Sequence, residues 1–266
     1  MRTLSLIALL STLSFGCTDK DDTDTGEEAD TSEEADTDTD TDTDTDTDTD
    51  TDTDTDTDTD TDASTQLARL TMLDLLDNTV ISGATVTIGD QEVTSDADGV
   101  ADFQVEVWAP YEVRAVVEGY HDHYWFGYND DGGFGVIGQL VSYTASATLG
   151  ALLGITVDPA RGSIVTSVYE LLGDGSLQVL PGVEVSIDAA YDVGLVQDDS
   201  TYGFSQGSTT TSKGTAIFVN VDLGAVTPTL APPEGYSCLV FPGEETSFSL
   251  QVIEDSFSRM SFYCMK

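Results

Sequence analysis

One block of sequence occurs twice in this chain of 266 residues, and the repetition restricts the folds that the chain can adopt. The first copy comprises residues 83–88 (GATVTI), 94–103 (TSDADGVADF) and 119–120 (GY). The second copy comprises residues 182–187 (GVEVSI), 211–218 (TSKGTAIF) and 235–236 (GY). The second copy also carries an insertion of about 16 residues between its first two segments. The order of the segments predicts two domains, one for each copy.

Both copies have the residue alternation of β-strands. Ala101, Phe103 and Val105 fall on one face of a strand, while Asp102 and Gln104 fall on the other. Turn-forming glycines separate the apolar runs, and no segment after residue 62 has a convincing helical period. The predicted fold is all-β, with two tandem antiparallel β-sandwich domains at 64–149 and 150–266 and an inserted loop at about 188–208.

The repeated pattern resembles a known family. Glycine, alternating Val and Ile, the run Thr-x-x-x-x-Gly-x-Ala-x-Phe and a later Gly-Tyr are similar to the carboxypeptidase regulatory-like domain, a transthyretin-related, Ig-like β-sandwich. The resemblance covers 67 to about 147 well and 155–266 more weakly. It implies a module that accompanies peptidases or is displayed on a surface, and that carries no catalytic residues itself.

Residues 36–62 are nothing but alternating Asp and Thr, within an acidic segment that spans 17–63. Residues 18–62 hold 23 carboxylates, one Lys and no large apolar residue, so nothing there can be buried to offset the entropy of ordering. We expect a disordered tether, stretched by self-repulsion beyond a coil of about 40 Å toward a limit near 150 Å. The net charge of −42 also argues against nucleic-acid binding.

Residues 1–16 have the features of a secretory leader, with Arg2 before a short apolar stretch that ends at Cys17. Leu13 to Cys17 resembles the lipobox of bacterial lipoproteins, in which the cysteine is acylated. The resemblance implies attachment to a lipid bilayer through acyl chains on Cys17, and similar proteins are lipoproteins of Gram-negative bacteria. Because Thr18 follows the cysteine, we expect the outer membrane or cell surface. The alternative is an ordinary leader that leaves Cys17 as a free thiol.

The three cysteines are an odd number for an exported chain. If Cys17 carries lipid, Cys238 and Cys264 remain as a pair that can form a disulfide in an oxidising compartment. Such a bond would stabilise the fold by roughly 3 kcal/mol on the chain-entropy model. The alternative is two reduced cysteines in the core.

His121 and His123 are the only histidines, and on a strand they would share a face as a metal pair requires. Asp130 or Asp131 could supply a third ligand. The alternative is that the histidines belong to an aromatic-rich strand and loop that close one end of the sandwich.

The aromatic residues that follow favour a ligand site of another kind. Tyr124, Trp125 and Tyr128 lie near Asp and Asn residues, a combination typical of surfaces that stack on sugars and accept hydrogen bonds from hydroxyl groups. The same rings could equally belong to the core.

Two acidic segments are candidates for calcium binding. Residues 96–99 (DADG) look like the opening of a calcium loop, but the remaining ligands are missing and a hairpin turn explains them better. The inserted loop is also acidic and rich in Gly and Ser. Its candidate residues are Tyr191, Asp192, Asp198, Asp199 and Tyr202.

Residues 203–207 (GFSQG) match Gly-x-Ser-x-Gly, but no helical pattern follows them, as the nucleophile turn of a hydrolase requires. The sequence holds no HExxH and no phosphate-binding glycine loop, so it predicts no enzyme and no cofactor other than calcium. We expect a non-catalytic, membrane-anchored surface lipoprotein that displays two β-sandwich modules for adhesion or for binding a protein or glycan partner. The alternatives are a purely structural envelope component and a module that binds calcium or polysaccharide.

Overall fold

The computed structural model of this chain describes residues 64–129, 134–200, 203–239 and 248–266. The leader, Cys17 and the acidic tether lie outside the described residues. The first half contains seven strands and a helix within the described residues: β1 Thr65–Asp74, β2 Thr85–Ile88, β3 Gln91–Thr94, β4 Val100–Glu106, β5 Ala109–Val116, β6 Asp122–Asn129, β7 Phe134–Leu140 and α1 Tyr143–Leu153.

The second half of the described chain consists of strands alone. They are β8 Gly162–Leu171, β9 Leu177–Val179, β10 Glu184–Ile187, β11 Val193–Gln197, β12 Phe204–Gln206, β13 Thr215–Val221, β14 Gly224–Val226, β15 Pro228–Ala231, β16 Ser237–Leu239, β17 Leu250–Val252 and β18 Ser256–Met265.

The strands form one large sheet and three small ones. The large sheet has the order β12-β11-β13-β8-β18-β6-β5-β2-β3, with β9 and β16 paired to β8 and β18. The small sheets are β4-β1-β7, β10-β15 and β14-β17. The predicted all-β sandwich fold is confirmed. Three strand pairs are parallel rather than antiparallel: β1 with β7, β6 with β18 and β8 with β18.

The sequence repeat recurs as a repeat of strand pairing. In the first half β1 pairs antiparallel with β4 and parallel with β7, and β2 pairs antiparallel with β5. In the second half β8 pairs antiparallel with β13 and parallel with β18, and β10 pairs antiparallel with β15. We call these two units repeat 1 and repeat 2. The insertion in repeat 2 is not only a loop, because it contains β11 and β12, which extend the edge of the large sheet.

A buried hydroxyl group joins two turns in each repeat. Ser95 Oγ accepts a hydrogen bond from the backbone N–H of Ala84 and donates one to the carbonyl of Ile81, both at 3.0 Å. Thr210 takes this place in repeat 2, so the second copy aligns with the first from residue 209 rather than 211. The corresponding bonds join Thr210 to Val183 and to Leu180, both at 3.0 Å.

The glycine that ends each of these turns is required by its surroundings. Gly99 and Gly214 have φ values of +72° and +66°. A Cβ atom at Gly99 would lie 2.8 Å from the carbonyl oxygen of Met72, and one at Gly214 would lie 2.8 Å from that of Val168. Any side chain would therefore displace the neighbouring strand in addition to straining the backbone.

The strand β18 joins the two repeats. It belongs to repeat 2 by topology, yet it lies between β8 and β6 and pairs with both through backbone hydrogen bonds. Tyr124 and Phe126 of β6 pack in the core of repeat 2, whereas Trp125 packs in the core of repeat 1. The two cores thus share one sheet and use its opposite faces.

The helix α1 departs from the sequence-based expectation of strands alone. Ser142 caps its first turn by accepting a hydrogen bond from Ala145 N–H, and Gly154 ends it in the left-handed conformation. Its buried residues, Ala145, Ser146 and Gly150, are all small. The helix therefore has no stripe of large apolar residues for a periodicity search to detect. Among the described residues, neither α1 nor any other helix has the length and hydropathy needed to cross a bilayer.

Replacing Ser95 by Ala should lower the free energy of unfolding by about 1–3 kcal/mol, because the N–H of Ala84 would lose its buried partner. Chemical denaturation followed by circular dichroism and by tryptophan fluorescence measures the change. The exposed Ser212→Ala variant is the control and should stay within about 0.5 kcal/mol of the parent. Since β18 joins the repeats, both probes should follow one transition, and separate transitions would contradict this account.

Candidate functional site

The two histidines lie at the start of β6, beneath the beginning of α1. His121 is buried, and both of its ring nitrogens have partners. Its Nδ1 lies 2.7 Å from Asp255 Oδ1, and its Nε2 lies 2.9 Å from Ser146 Oγ. The hydroxyl of Tyr143 donates to the other oxygen of Asp255 at 2.8 Å. This network connects β6, α1 and the turn between β17 and β18.

The atoms of Ser146, His121 and Asp255 are connected in the order found in serine hydrolases, where the hydroxyl faces one imidazole nitrogen and a carboxylate faces the other. A nucleophile must also reach its substrate. Ser146 lies on the buried side of α1 with 9% of its surface exposed, and its hydroxyl also donates to the carbonyl of Tyr143 at 3.1 Å. The arrangement fastens the helix to the sheet and offers no access for a substrate.

No pattern in the sequence points to this network. Ser146 stands in no recognisable motif, and Asp255 is 134 residues from His121 along the chain. Only the insertion of β18 beside β6 brings that carboxylate to the histidine.

His123 is fully buried and stacks on Phe257, with ring centroids 5.4 Å apart and an interplanar angle of 9°. Its Nε2 accepts a hydrogen bond from the backbone N–H of Val141 at 2.8 Å, so the ring proton of the neutral form is on Nδ1. That Nδ1 has no hydrogen-bond partner in the described part of the chain. Burial, with smaller contributions from Arg259 and His121, holds the pKa of His123 well below its usual 6.5.

The metal site at His121 and His123 remains a prediction, and the geometry gives it little support. Three of the four ring nitrogens have protein partners. No group of three or more His, Cys, Asp or Glu side chains suited to a metal ion occurs within the described residues. The suggested third ligands, Asp130 and Asp131, lie outside those residues.

The structure argues against a sugar-binding platform made of Tyr124 and Trp125. They are 5% and 4% exposed and point to opposite faces of β6, so no ligand can stack on both. Trp125 fills the space beside Gly138, where a Cβ atom would lie 2.7 Å from the ring. Tyr128 is half-buried and donates to the carbonyl of Trp108 at 2.6 Å. The tryptophan that is accessible is Trp108, which is 57% exposed.

The acidic segments have protein partners. Asp96 Oδ1 accepts from the N–H groups of Asp98 and Val100, both at 2.9 Å, which is the hairpin turn expected there.

The acidic side chains of the insertion also have protein partners. Asp192 pairs with Arg161, Asp198 accepts from Ser200 N–H and Asp199 pairs with Lys213. Tyr191 lies half-exposed against Phe218, and Tyr202 is outside the described residues. Calcium binding by these segments therefore stays a prediction.

The expected disulfide is confirmed. Cys238 of β16 and Cys264 of β18 are directly opposite each other in the strand register and are covalently joined. The bond holds a short strand against the strand that links the repeats.

Comparison with known proteins adds no family. No family model matches the chain, and no curated protein matches it. Among solved structures, the minor pilin GBS52 of Streptococcus agalactiae is 12% identical, with a TM-score of 0.29, over 75% of this chain and 96% of the pilin. The shaft pilin SpaA of Lactobacillus rhamnosus GG, solved in a mutant form, is 13% identical, with a TM-score of 0.25, over 75% and 98%.

A third similar structure is the Bacillus anthracis TIE protein, 18% identical with a TM-score of 0.26 over 76% of this chain and 34% of that protein. TM-scores this low do not establish a shared fold. The fold assignment therefore rests on the strand pairing itself.

The stability of the fold should fall as the pH drops below 6.5. The unfolded chain takes up a proton on His123 there, whereas the buried ring remains neutral, so the stabilising contribution is complete above 6.5 and is lost on acidification. The contribution of this histidine amounts to at most about 1.4 kcal/mol per pH unit. Chemical denaturation at several pH values between 7.5 and 5 should show this fall in the free energy of unfolding. In a His123→Gln variant, which keeps an acceptor for Val141, the free energy of unfolding should depend less steeply on pH. An unchanged dependence would refute the assignment of the effect to His123.

The purified protein should not react with a fluorophosphonate probe, because the Ser146 hydroxyl faces the interior. Ser146→Ala should instead lower the free energy of unfolding by about 1–3 kcal/mol, since the buried Nε2 of His121 loses its partner. Thr148→Ala, an exposed change on the same helix, is the control. Labelling of the parent protein that Ser146→Ala abolishes would show that the network is catalytic.

Proposed function

We propose that this chain is a non-catalytic lipoprotein of the cell envelope, anchored by acyl chains on Cys17. In this proposal it displays its two joined β-sandwich repeats at the cell surface for adhesion or for binding a protein or glycan partner. The observation that carries the proposal is the disulfide between Cys238 and Cys264.

Disulfides form and persist in oxidising compartments, which makes this bond an indication of export. It also uses two of the three cysteines and leaves Cys17 as the remaining one. Cys17 stands at the end of the apolar leader, in the position that acylation of a bacterial lipoprotein requires. The structural bond and the leader therefore support the same destination.

The charge of the chain supports attachment by lipid rather than by basic residues. The tether sequence holds 23 carboxylates and a single Lys, and the folded residues are also acidic. Anionic lipid headgroups would repel such a chain, so binding to a bilayer needs acyl chains. The same repulsion favours a long reach for the tether, which would present the folded unit away from the membrane.

The fold favours a rigid display unit over an enzyme. The two repeats share the large sheet through β18, and the hydroxyl of the one triad-like network among the described residues faces inward. A purely structural envelope component is the second candidate, because the same rigidity would suit a spacer.

Metabolic labelling with an alkyne fatty acid tests the anchor. The parent chain should take up the label and sediment with membranes, while Cys17→Ser should be unlabelled and soluble, because that variant lacks the sulfur to be acylated. Cys238→Ser is the matched control and should still be labelled. Added protease should digest the folded unit on intact cells if the unit is displayed outside. An unmodified sulfur at Cys17 in mass spectrometry of the purified protein would contradict the proposal.

A further inference from the structure

Arg259 differs from every other cation in the described residues. The chain has 50 acidic residues against 8 Lys and Arg, so each cation has many carboxylates available to it. The other described cations all have partners: Arg69 with Asp102, Arg114 with Asp122, Arg161 with Asp192 and Asp222, Lys213 with Asp199, and Lys266 with Tyr236. Arg259 has neither an ion pair nor a hydrogen bond within the described chain.

The strand register locates this guanidinium. Arg259 lies in β18, opposite Trp125 of β6 and Val165 of β8. Its Nε atom is sealed from solvent without a hydrogen-bond partner in the described chain, while the residue as a whole is partly exposed. Part of the Arg259 residue is therefore open to solvent, although its Nε atom is not. Burial lowers the pKa of Arg259 from its usual range, yet a guanidinium stays protonated in proteins.

Further hydrogen-bond donors lie on the same face. Along β18 the next two positions on this face are Ser261, opposite Ser167 of β8, and Tyr263, opposite Tyr169. The hydroxyl groups of Ser261, Ser167 and Tyr169 have no hydrogen-bond partner among the residues that the structure describes. A guanidinium and three hydroxyls thus share one face of neighbouring strands, with no carboxylate of the described residues at these register positions.

Tyrosine rings border these donors. The rings of Tyr169 and Tyr263 stack with centroids 6.2 Å apart. The ring of Tyr111 lies against Gly127 of β6, in the space that a Cβ atom of that glycine would need. Burial partly desolvates the Arg259 guanidinium and so strengthens its attraction for an anion.

We propose that Arg259, Ser167, Ser261 and Tyr169 form a binding site for the carboxylate group of an external ligand. A carboxylate is planar and matches the two-pronged donor geometry of a guanidinium. It carries one charge, which the single cation of the site neutralises. A phosphate would bring more charge than this site balances in a chain of net charge −42. The site does not depend on the lipid anchor.

Nuclear magnetic resonance of the full chain carrying Cys17→Ser tests the site. The Arg259 Nε–Hε resonance, assigned by its loss in Arg259→Met, should shift saturably with sodium acetate and should not shift with sodium chloride at equal ionic strength.

Thermal denaturation gives a second test. Acetate should raise the Tm of the parent, and Arg259→Met should abolish that rise. Arg114→Met, which removes a paired surface arginine, should keep it. Without acetate, Arg259→Met should melt no lower than the parent, since it removes a partly desolvated charge that has no partner in the described chain.

A second titration distinguishes two sources of the carboxylate. The peptide acetyl-Thr-Asp-Thr-amide should saturate the shift at a concentration at least tenfold below acetate if acidic peptides are the ligands. Equal or weaker binding of the peptide assigns the site to small free acids.

The proposal is overturned if chloride reproduces the acetate shift, if no shift saturates, or if Arg259→Met keeps the acetate-dependent rise in Tm. Should Arg259→Met fail to fold, the double variant Ser167→Ala with Ser261→Ala replaces it. That variant should need a several-fold higher acetate concentration for half-saturation, and an unchanged value would equally refute the site.

Discussion

The pairing of β18 with both β6 and β8 is the interaction on which the rest of the structure depends. A central strand satisfies its backbone groups on both sides, so removing it would leave two rows of N–H and C=O groups without partners. The pairing also places Asp255 beside His121, Phe257 against His123 and Arg259 beside Trp125. The buried network around His121 and the group of donors around Arg259 both follow from the position of β18 between β6 and β8.

A strand buried on both faces explains the aromatic sequence of β6. In a half-buried strand, polar residues alternate with apolar ones, as they do in β4. In β6, residues 123–126 are all buried because each face belongs to a different core. The run of rings that suggests a ligand surface is instead the place where the repeats meet.

Local chemistry makes part of this fold predictable. The turn glycines, the alternation in β4 and the pairing of Cys238 with Cys264 depend on neighbours in sequence or on simple counting. The sequence pattern begins the second segment of the second copy at residue 211, two residues later than the structure does. The reason is that residues 208–212 (STTTS) offer several similar matches to the first copy. The structure selects Thr210 by its hydrogen bonds, since only a hydroxyl four residues before the glycine reaches both backbone groups. The helix α1, the His121 network and the Arg259 cluster depend on long-range packing of small or isolated residues, which leaves no periodic pattern.

The place of β18 in the order of the strands has a consequence for biogenesis. In a chain that is threaded through a membrane from its N-terminus, β18 emerges after β6 and β8, so the side of β6 that pairs with β18 has no partner until repeat 2 has emerged. Repeat 1 therefore cannot reach its final state while repeat 2 is still emerging, and the two mature together. The same strand brings Cys264 to Cys238, so their disulfide forms only after β18 has emerged and paired with β16.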